Sequence, residues 1–347
     1  MATATYKCPN CGGGLRFDPA IQKSKCEYCL SEFTDAELAK LSAAIDSKAQ
    51  RAAAGEPGHL KGYNCDSCGA EVVTEETTSA TFCYYCHNPV LLTDRLTGDF
   101  KPTRIIPFSF DKQKAEATFL VWAKKRKFVP KSFYSSSQLE KISGVYLPYW
   151  MADAQADIDY AGKGINLRTW RVGDTEYTEH QEYAIARQGK IDVNNVHEVA
   201  MRKIDKGLID SISPYDETRT TDFSMSYLSG FLAEKYDISK EEVQPLLESK
   251  AKEFARILAQ ESIGSYDQVE MERDRLDMQI KSWNYALLPA WILTYLYKGK
   301  TYVYAVNGQT GKAHGELPVD NFKLSLTSIL GGIALLAVTI LGGALIW

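Results

Sequence analysis

The sequence predicts an α+β protein: two N-terminal zinc ribbons, a mixed helix and antiparallel-sheet domain, and one C-terminal transmembrane helix. Three observations carry this expectation. Eight cysteines fall into two equal spacings, strand-like and helix-like patterns interleave through the middle, and the last 23 residues carry no charged side chain. The expected segments are ribbon 1 over 1–34, a linker helix over 35–60, ribbon 2 over 61–97, an α+β domain over 98–320 and a transmembrane helix over 325–347.

The cysteines form four CxxC pairs, Cys8/Cys11, Cys26/Cys29, Cys65/Cys68 and Cys83/Cys86. Fourteen residues separate Cys11 from Cys26, and fourteen separate Cys68 from Cys83. Two facing CxxC knuckles complete a tetrahedron of thiolates around zinc. The expected ligand sets are therefore Cys8, Cys11, Cys26 and Cys29 for one structural Zn2+, and Cys65, Cys68, Cys83 and Cys86 for a second. Gly12 and Gly69 follow the second cysteine of their pairs, where the turn calls for a residue tolerant of unusual φ. A unit of about 30 residues buries too little to fold alone, so metal binding and folding should coincide. Met1–Phe17 does not read as a secretory signal, which favours thiolate chemistry over disulfides. Cys83-Tyr-Tyr-Cys86-His87 spells a haem-attachment motif, but its cysteines already belong to the repeat.

Ribbon 1 carries Lys7, Arg16, Lys23 and Lys25 against Asp18, Glu27 and Glu32. From Tyr63 to Thr97, ribbon 2 has only Arg95 against Asp66, Glu71, Glu75, Glu76 and Asp94. With a formal chain charge of −4, this balance argues against phosphate contacts and hence against nucleic acid.

Between the ribbons, Asp35 to Ala54 reads as a helix with Asp35 as N-cap. Asp111 to Lys127 is an amphipathic helix with Ala115, Phe119, Trp122 and Ala123 inward. Its terminal Lys124-Lys125-Arg126-Lys127 reads first as a solvated helix end favoured by the macrodipole, with anionic lipid headgroups as the rival reading. Val145 to Tyr160 alternates as a strand, Ala152, Ala154, Ala156, Ile158 and Tyr160 opposing Asp153, Asp157 and Asp159. Asn166–Val172 and Thr175–Arg187 are strand-like, Lys240–Ser262 is helical, and Tyr285–Tyr297 and Thr301–Ala305 are further strands. His180, His197 and His314 fit no metal-box spacing, and no GxSxG, GxGxxG or P-loop occurs, so no catalytic residue is assigned and no enzyme activity is expected. In the apolar 325–347 run, 23 residues reach about 35 Å, enough for a hydrocarbon core of about 30 Å. Lys312 and Lys323 precede it, which favours a cytosolic N-terminus and a single-pass protein of the cell membrane.

Further residues carry a family resemblance: Gly144-Val-Tyr-Leu-Pro-Tyr-Trp150, Pro214-Tyr-Asp216, Tyr227-Leu-Ser-Gly-Phe231, Leu287-Leu-Pro-Ala-Trp291 and Asn307-Gly-Gln-Thr-Gly-Lys312. With the twin ribbons and the terminal apolar run, the chain resembles the bacterial membrane proteins with TFIIB-type zinc ribbons, often labelled primosomal or helicase-like. The resemblance implies a scaffold in an envelope stress response, with partners like phage shock protein A and an SPFH-like adaptor at the bilayer. Self-association or association with another chain stays open. The alternatives are a nucleic-acid-binding regulator using the ribbons and an enzyme housed in 98–320.

Overall fold

The computed structural model describes residues 3–4, 6–38, 60–65, 71–75, 77–83, 89–92, 96, 98–130, 133, 139 and 141–346. The strands are β1 (Thr3–Ala4), β2 (Leu15–Asp18), β3 (Lys23–Cys26), β4 (Glu32–Phe33), β5 (Leu60–Asn64), β6 (Glu71–Glu75), β7 (Thr78–Phe82), β8 (Pro89–Leu92), β9 (Arg104–Ile105), β10 (Ser143–Val172), β11 (Thr175–Val199), β12 (Thr221–Asp222), β13 (Leu232–Glu234), β14 (Gln268–Tyr297), β15 (Lys300–Asn307) and β16 (Ala313–Gly315). The helices are α1 (Lys112–Lys124), α2 (Lys206–Ile212), α3 (Lys240–Ile263) and α4 (Asn321–Ile346). The protein is thus a mixed α+β structure.

The large sheet runs β1-β8-β7-β13-β10-β14-β15-β16, with β11 added to β10 and β9 to β14. Its centre is β10, whose residues alternate between two cores. Tyr146, Trp150, Ala152, Ala154, Ala156, Ile158 and Tyr160 face the main core. Leu147, Tyr149 and Met151 face a second core closed by Leu208, Ile209 and Ile212 of α2. On the main side, α3 lays a stripe of Val243, Leu247, Ala251, Ala255, Ala259 and Ile263 against β10, β11 and β14. The four-residue spacing keeps these side chains on one face. Opposed alanines, Ala251, Ala255 and Ala259 on the helix and Ala152, Ala154 and Ala156 on the strand, leave room for close approach. Buried Glu198 of β11 ties both helices down, 2.7 Å from Lys206 Nζ and 2.6 Å from Lys250 Nζ.

Past Tyr160, β10, β11 and β14 run on together as an arm, three-stranded to Ile165 and from there a two-stranded hairpin of β10 and β11. Leu167, Trp170, Val172, Tyr177 and Tyr183 are exposed there, and Trp170 stacks on Tyr177 with ring centres 5.8 Å apart.

Several expectations change. The strands are longer than their sequence signal: β10 runs unbroken through Val172, and β14 begins at Gln268, not Tyr285. The helix after ribbon 1 begins at 35–38 and is capped by Thr34, not Asp35. Thr34 Oγ1 and N both bond the Glu37 carboxylate, at 2.8 and 2.7 Å, in a capping box; Asp35 instead accepts from Ser226 Oγ. Residues 39–59, and with them most of the expected linker helix, lie outside the described residues. The boundary at 97/98 is crossed by strand pairing, since β7 pairs with β13, and β8 pairs with β1 across the expected ribbon 1 and ribbon 2 segments. Among the described residues, no helix is long and apolar enough to cross a membrane. The segment 325–347 falls mostly on helix α4, but the side chains of Ala334, Ala337, Val338 and 340–347 are outside the description, which shortens its described apolar stretch.

Candidate metal centre

Ribbon 1 is built from two knuckles with matching backbone hydrogen bonds. Gly12 N donates to Cys8 O at 2.8 Å, and Leu30 N to Cys26 O at 3.0 Å. Cys8 N donates to Gly13 O at 2.6 Å, and Cys26 N to Ser31 O at 2.9 Å. Each turn closes through the left-handed region, at Gly12 (φ +75°) and Leu30 (φ +62°). The small sheet β2-β3-β4 carries the second knuckle on a hairpin, with Leu15 opposite Cys26.

These turns bring the four predicted cysteines of ribbon 1 together. All four Sγ atoms lie within 4.8 Å of one another; Cys8–Cys29 and Cys11–Cys26 are each 3.5 Å apart. Tetrahedral thiolates about 2.3 Å from a zinc would stand about 3.8 Å from each other. The donor set and spacing therefore fit one metal ion. Cys8 and Cys26 are buried, whereas Cys11 and Cys29 are exposed. Ser31, which the sequence reading passed over, serves both knuckles: its hydroxyl accepts from Asn10 Nδ2 at 2.8 Å and lies 3.3 Å from Cys29 Sγ. The Ser31 hydroxyl and backbone amide hold the Cys29 thiol down to about 6. At Cys11 the Gly13 backbone pulls downward, but the sulfurs of Cys29 and Cys26, with some burial, outweigh it and push the thiol up to about 12. Four adjacent thiols cannot all ionise unaided; a bound cation removes that conflict by deprotonating them together.

For the second expected set, Cys65 and Cys83 are buried in one small cluster with Tyr63, Val72, Val90 and Leu92. Cys68, Cys86 and Gly69 lie outside the described residues.

Ribbon 1 is seated on the domain. Phe17 N donates to Ser229 O at 2.8 Å, Ser229 Oγ donates to Leu15 O, and Phe17 packs edge-on to Tyr227 with ring centres 5.0 Å apart. Gly230 (φ +97°) passes against the Arg16 side chain. The Tyr227–Phe231 segment is thus the ribbon's seat. Other resemblance-bearing segments interlock similarly. The buried Asn307 side chain donates to Ile212 O and Pro214 O at 3.0 and 3.2 Å, and accepts from Gln309 N and Thr310 N, both at 2.9 Å. Gln309 pairs twice with the Asp216 backbone, and Tyr215 Oη donates to Pro289 O at 3.1 Å. These residues are scaffold, holding the β14–β15–β16 side to the α2 loop. The three histidines stay on separate pairings: His180 faces Leu167, His314 faces Ala305, and His197 lies 3.2 Å from Glu217.

Fold and site together define an α+β protein with a cluster of four cysteines, able to hold a metal ion, docked on a long-stranded sheet. No protein-family model and no solved structure matches the chain. It is 31% identical over 330 residues, 94% of each chain, to the uncharacterized protein YdjG of Bacillus subtilis strain 168, and it belongs to that protein's family.

Proposed function

We propose that the chain is a membrane-anchored adaptor. Its N-terminal cysteines bind two structural zinc ions, its C-terminal helix crosses the bilayer, and its ribbons and sheet domain recruit other proteins to the cytosolic membrane face. The observation that carries the reading is the bare apolar surface of α4. Phe322, Ile329, Leu330, Ile333, Leu335 and Leu336 are exposed along a helix free of charged side chains past Lys323. Such a surface requires a cover, and for a helix of this composition lipid is the fitting one. The four-thiolate site supports the zinc assignment through its soft donors. Proteins like phage shock protein A and an SPFH-like adaptor are the partners the resemblance implies, with an envelope stress response as the setting.

The test is alkaline carbonate extraction of membranes containing the full chain, followed by protease access in spheroplasts and identification of co-purifying proteins. Carbonate-resistant membrane retention with the ribbons shielded from external protease is the expected result. Release by carbonate, or ribbons cut from outside, overturns the reading. Metal analysis should return two zinc ions per chain; one or none overturns the count.

A further inference from the structure

The Lys124–Lys127 run, read from sequence as a solvated helix end, has a neighbour that the sequence conceals. Beyond α1 the chain is stitched to the start of α4: Asp320 N donates to Phe128 O at 2.7 Å, and Lys323 Nζ donates to Val129 O at 2.8 Å. From the other side, the β14–β15 turn reaches the same place. Lys298 (φ +50°) and Gly299 (φ +80°) form its tip. An open cavity of about 520 Å³ there is lined by Tyr297, Lys298, Lys300, Tyr302, Val319 and Asn321, among others. Two basic segments remote in sequence therefore flank residues 319–321, where α4 begins.

The charge balance at this point is one-sided. Lys300 is paired with Glu316 at 3.0 Å, and Lys323 lies 3.9 Å from Asp320. Lys124, Lys125, Arg126, Lys127 and Lys298 are exposed, and among the described residues none of them has an ion-pair partner. α1 ends at Lys124, so a helix dipole accounts for Lys124 in the last turn and Lys125 at the cap, but not for Lys298 brought in by a hairpin. Next to them, Val319 and Phe322 are exposed, 46% and 77%. Cations interleaved with bare apolar side chains at the root of an apolar helix match the composition of a membrane interface.

We infer that these five cations form a collar that binds the anionic phospholipid headgroups around the root of α4. The inference rests on the reading of α4 as membrane-spanning and adds the lipid class that the domain selects. Each cation held near an anionic surface is worth about fivefold in association.

The experiment uses the full chain reconstituted in vesicles of phosphatidylcholine alone or with about 30% phosphatidylglycerol, at about 0.1 M salt. Lysines are footprinted by acetylation and mass spectrometry. Lys125, Lys127 and Lys298 should label about fivefold more slowly on the anionic vesicles, Lys163 of the arm should not change, and about 1 M salt should erase the difference. In the native chain Lys300 and Lys323, beside the collar, should also label more slowly on the anionic vesicles, and a variant carrying Lys124→Gln, Lys125→Gln, Arg126→Gln, Lys127→Gln and Lys298→Gln should insert equally well and lose that difference. Carbonate-resistant insertion with equal labelling on both vesicles overturns the collar and leaves the anchor standing. Failure to insert into neutral vesicles overturns the anchor itself, and the collar with it. Equal protection by a single-stranded oligonucleotide assigns the patch to polyanions in general and overturns the lipid assignment.

Discussion

Leu30 closes the second cysteine knuckle with φ +62°, a conformation that costs a side-chain-bearing residue about 1 kcal/mol. Its side chain is 65% exposed and loses little if removed. Leu30→Gly should therefore raise thermal stability by about 1 kcal/mol without changing metal content, measured by melting and metal analysis. Asn307 is the opposite case. It is fully buried, and both ends of its amide are engaged. Asn307→Ala should cost about 3 kcal/mol in denaturant unfolding, because four backbone groups lose their partner. Glu217 sets a pH dependence. Partial burial, the largest single influence, pushes its carboxyl up, but the His197 hydrogen bond, the group's own backbone amide and the His197 charge together outweigh it and leave the group below the usual carboxylate range. A lowered folded value means that its contribution is present above about pH 4.5 and fades as pH falls through that lowered value. Glu217→Gln should flatten the stability profile there by on the order of 1 kcal/mol or less, since the group is only half-buried. The cysteine spacing made the first site legible from residues alone. Ser31 was not, because one serine two places after a cysteine carries no spacing signal.

At the scale of elements, the α3–β10 interface depends on small residues. Ala255 is fully buried where the helix crosses the alanine-bearing strand. Ala255→Leu should cost about 2 kcal/mol or more by overpacking, whereas Leu258→Ala on the exposed side of α3 should stay within about 0.5 kcal/mol, both read by thermal unfolding. The same interface explains which strands the sequence revealed. Between Ala152 and Tyr160 one face is buried under α3, so apolar and polar residues alternate. From Lys163 outward most side chains of the arm are exposed, and the alternation fades although backbone pairing continues. The missed stretch of β14 did carry a cue: Leu276, Met278 and Ile280 alternate with Asp277, Gln279 and Lys281, and the first three pack against the main core. The arm's outer strands bristle with charge, Glu176, Glu179 and Glu182 on β11 and Glu270, Glu272 and Arg273 on β14. Such side chains guard long edges against stray pairing.

At the scale of the molecule, the two-bead picture of ribbons strung before a domain gives way to shared cores. Tyr6, Cys8, Leu15, Phe17 and Cys26 belong to the same core as Phe108, Phe231 and Trp291. Spacing reveals ligand sets but not the surface a small module leans on, so this docking was not legible. Cys26→Ser should consequently lower the stability of the whole domain by more than about 3 kcal/mol, because binding energy at the metal is folding energy for everything packed on the ribbon. Tryptophan fluorescence during unfolding is the check, since an independent ribbon would leave the Trp291 transition unmoved. The arm carries a different consequence. Its central strand, β10, is 30 residues long, a contour near 100 Å. It pairs with β14 from Ser143–Ile292 to Ile165–Gln268. A pull on the Gly173 tip, with the body held, runs along these strands and loads their hydrogen bonds side by side in shear, not one after another as in peeling. The arm is then a tension member: force applied at its far end reaches the body before the pairing gives way.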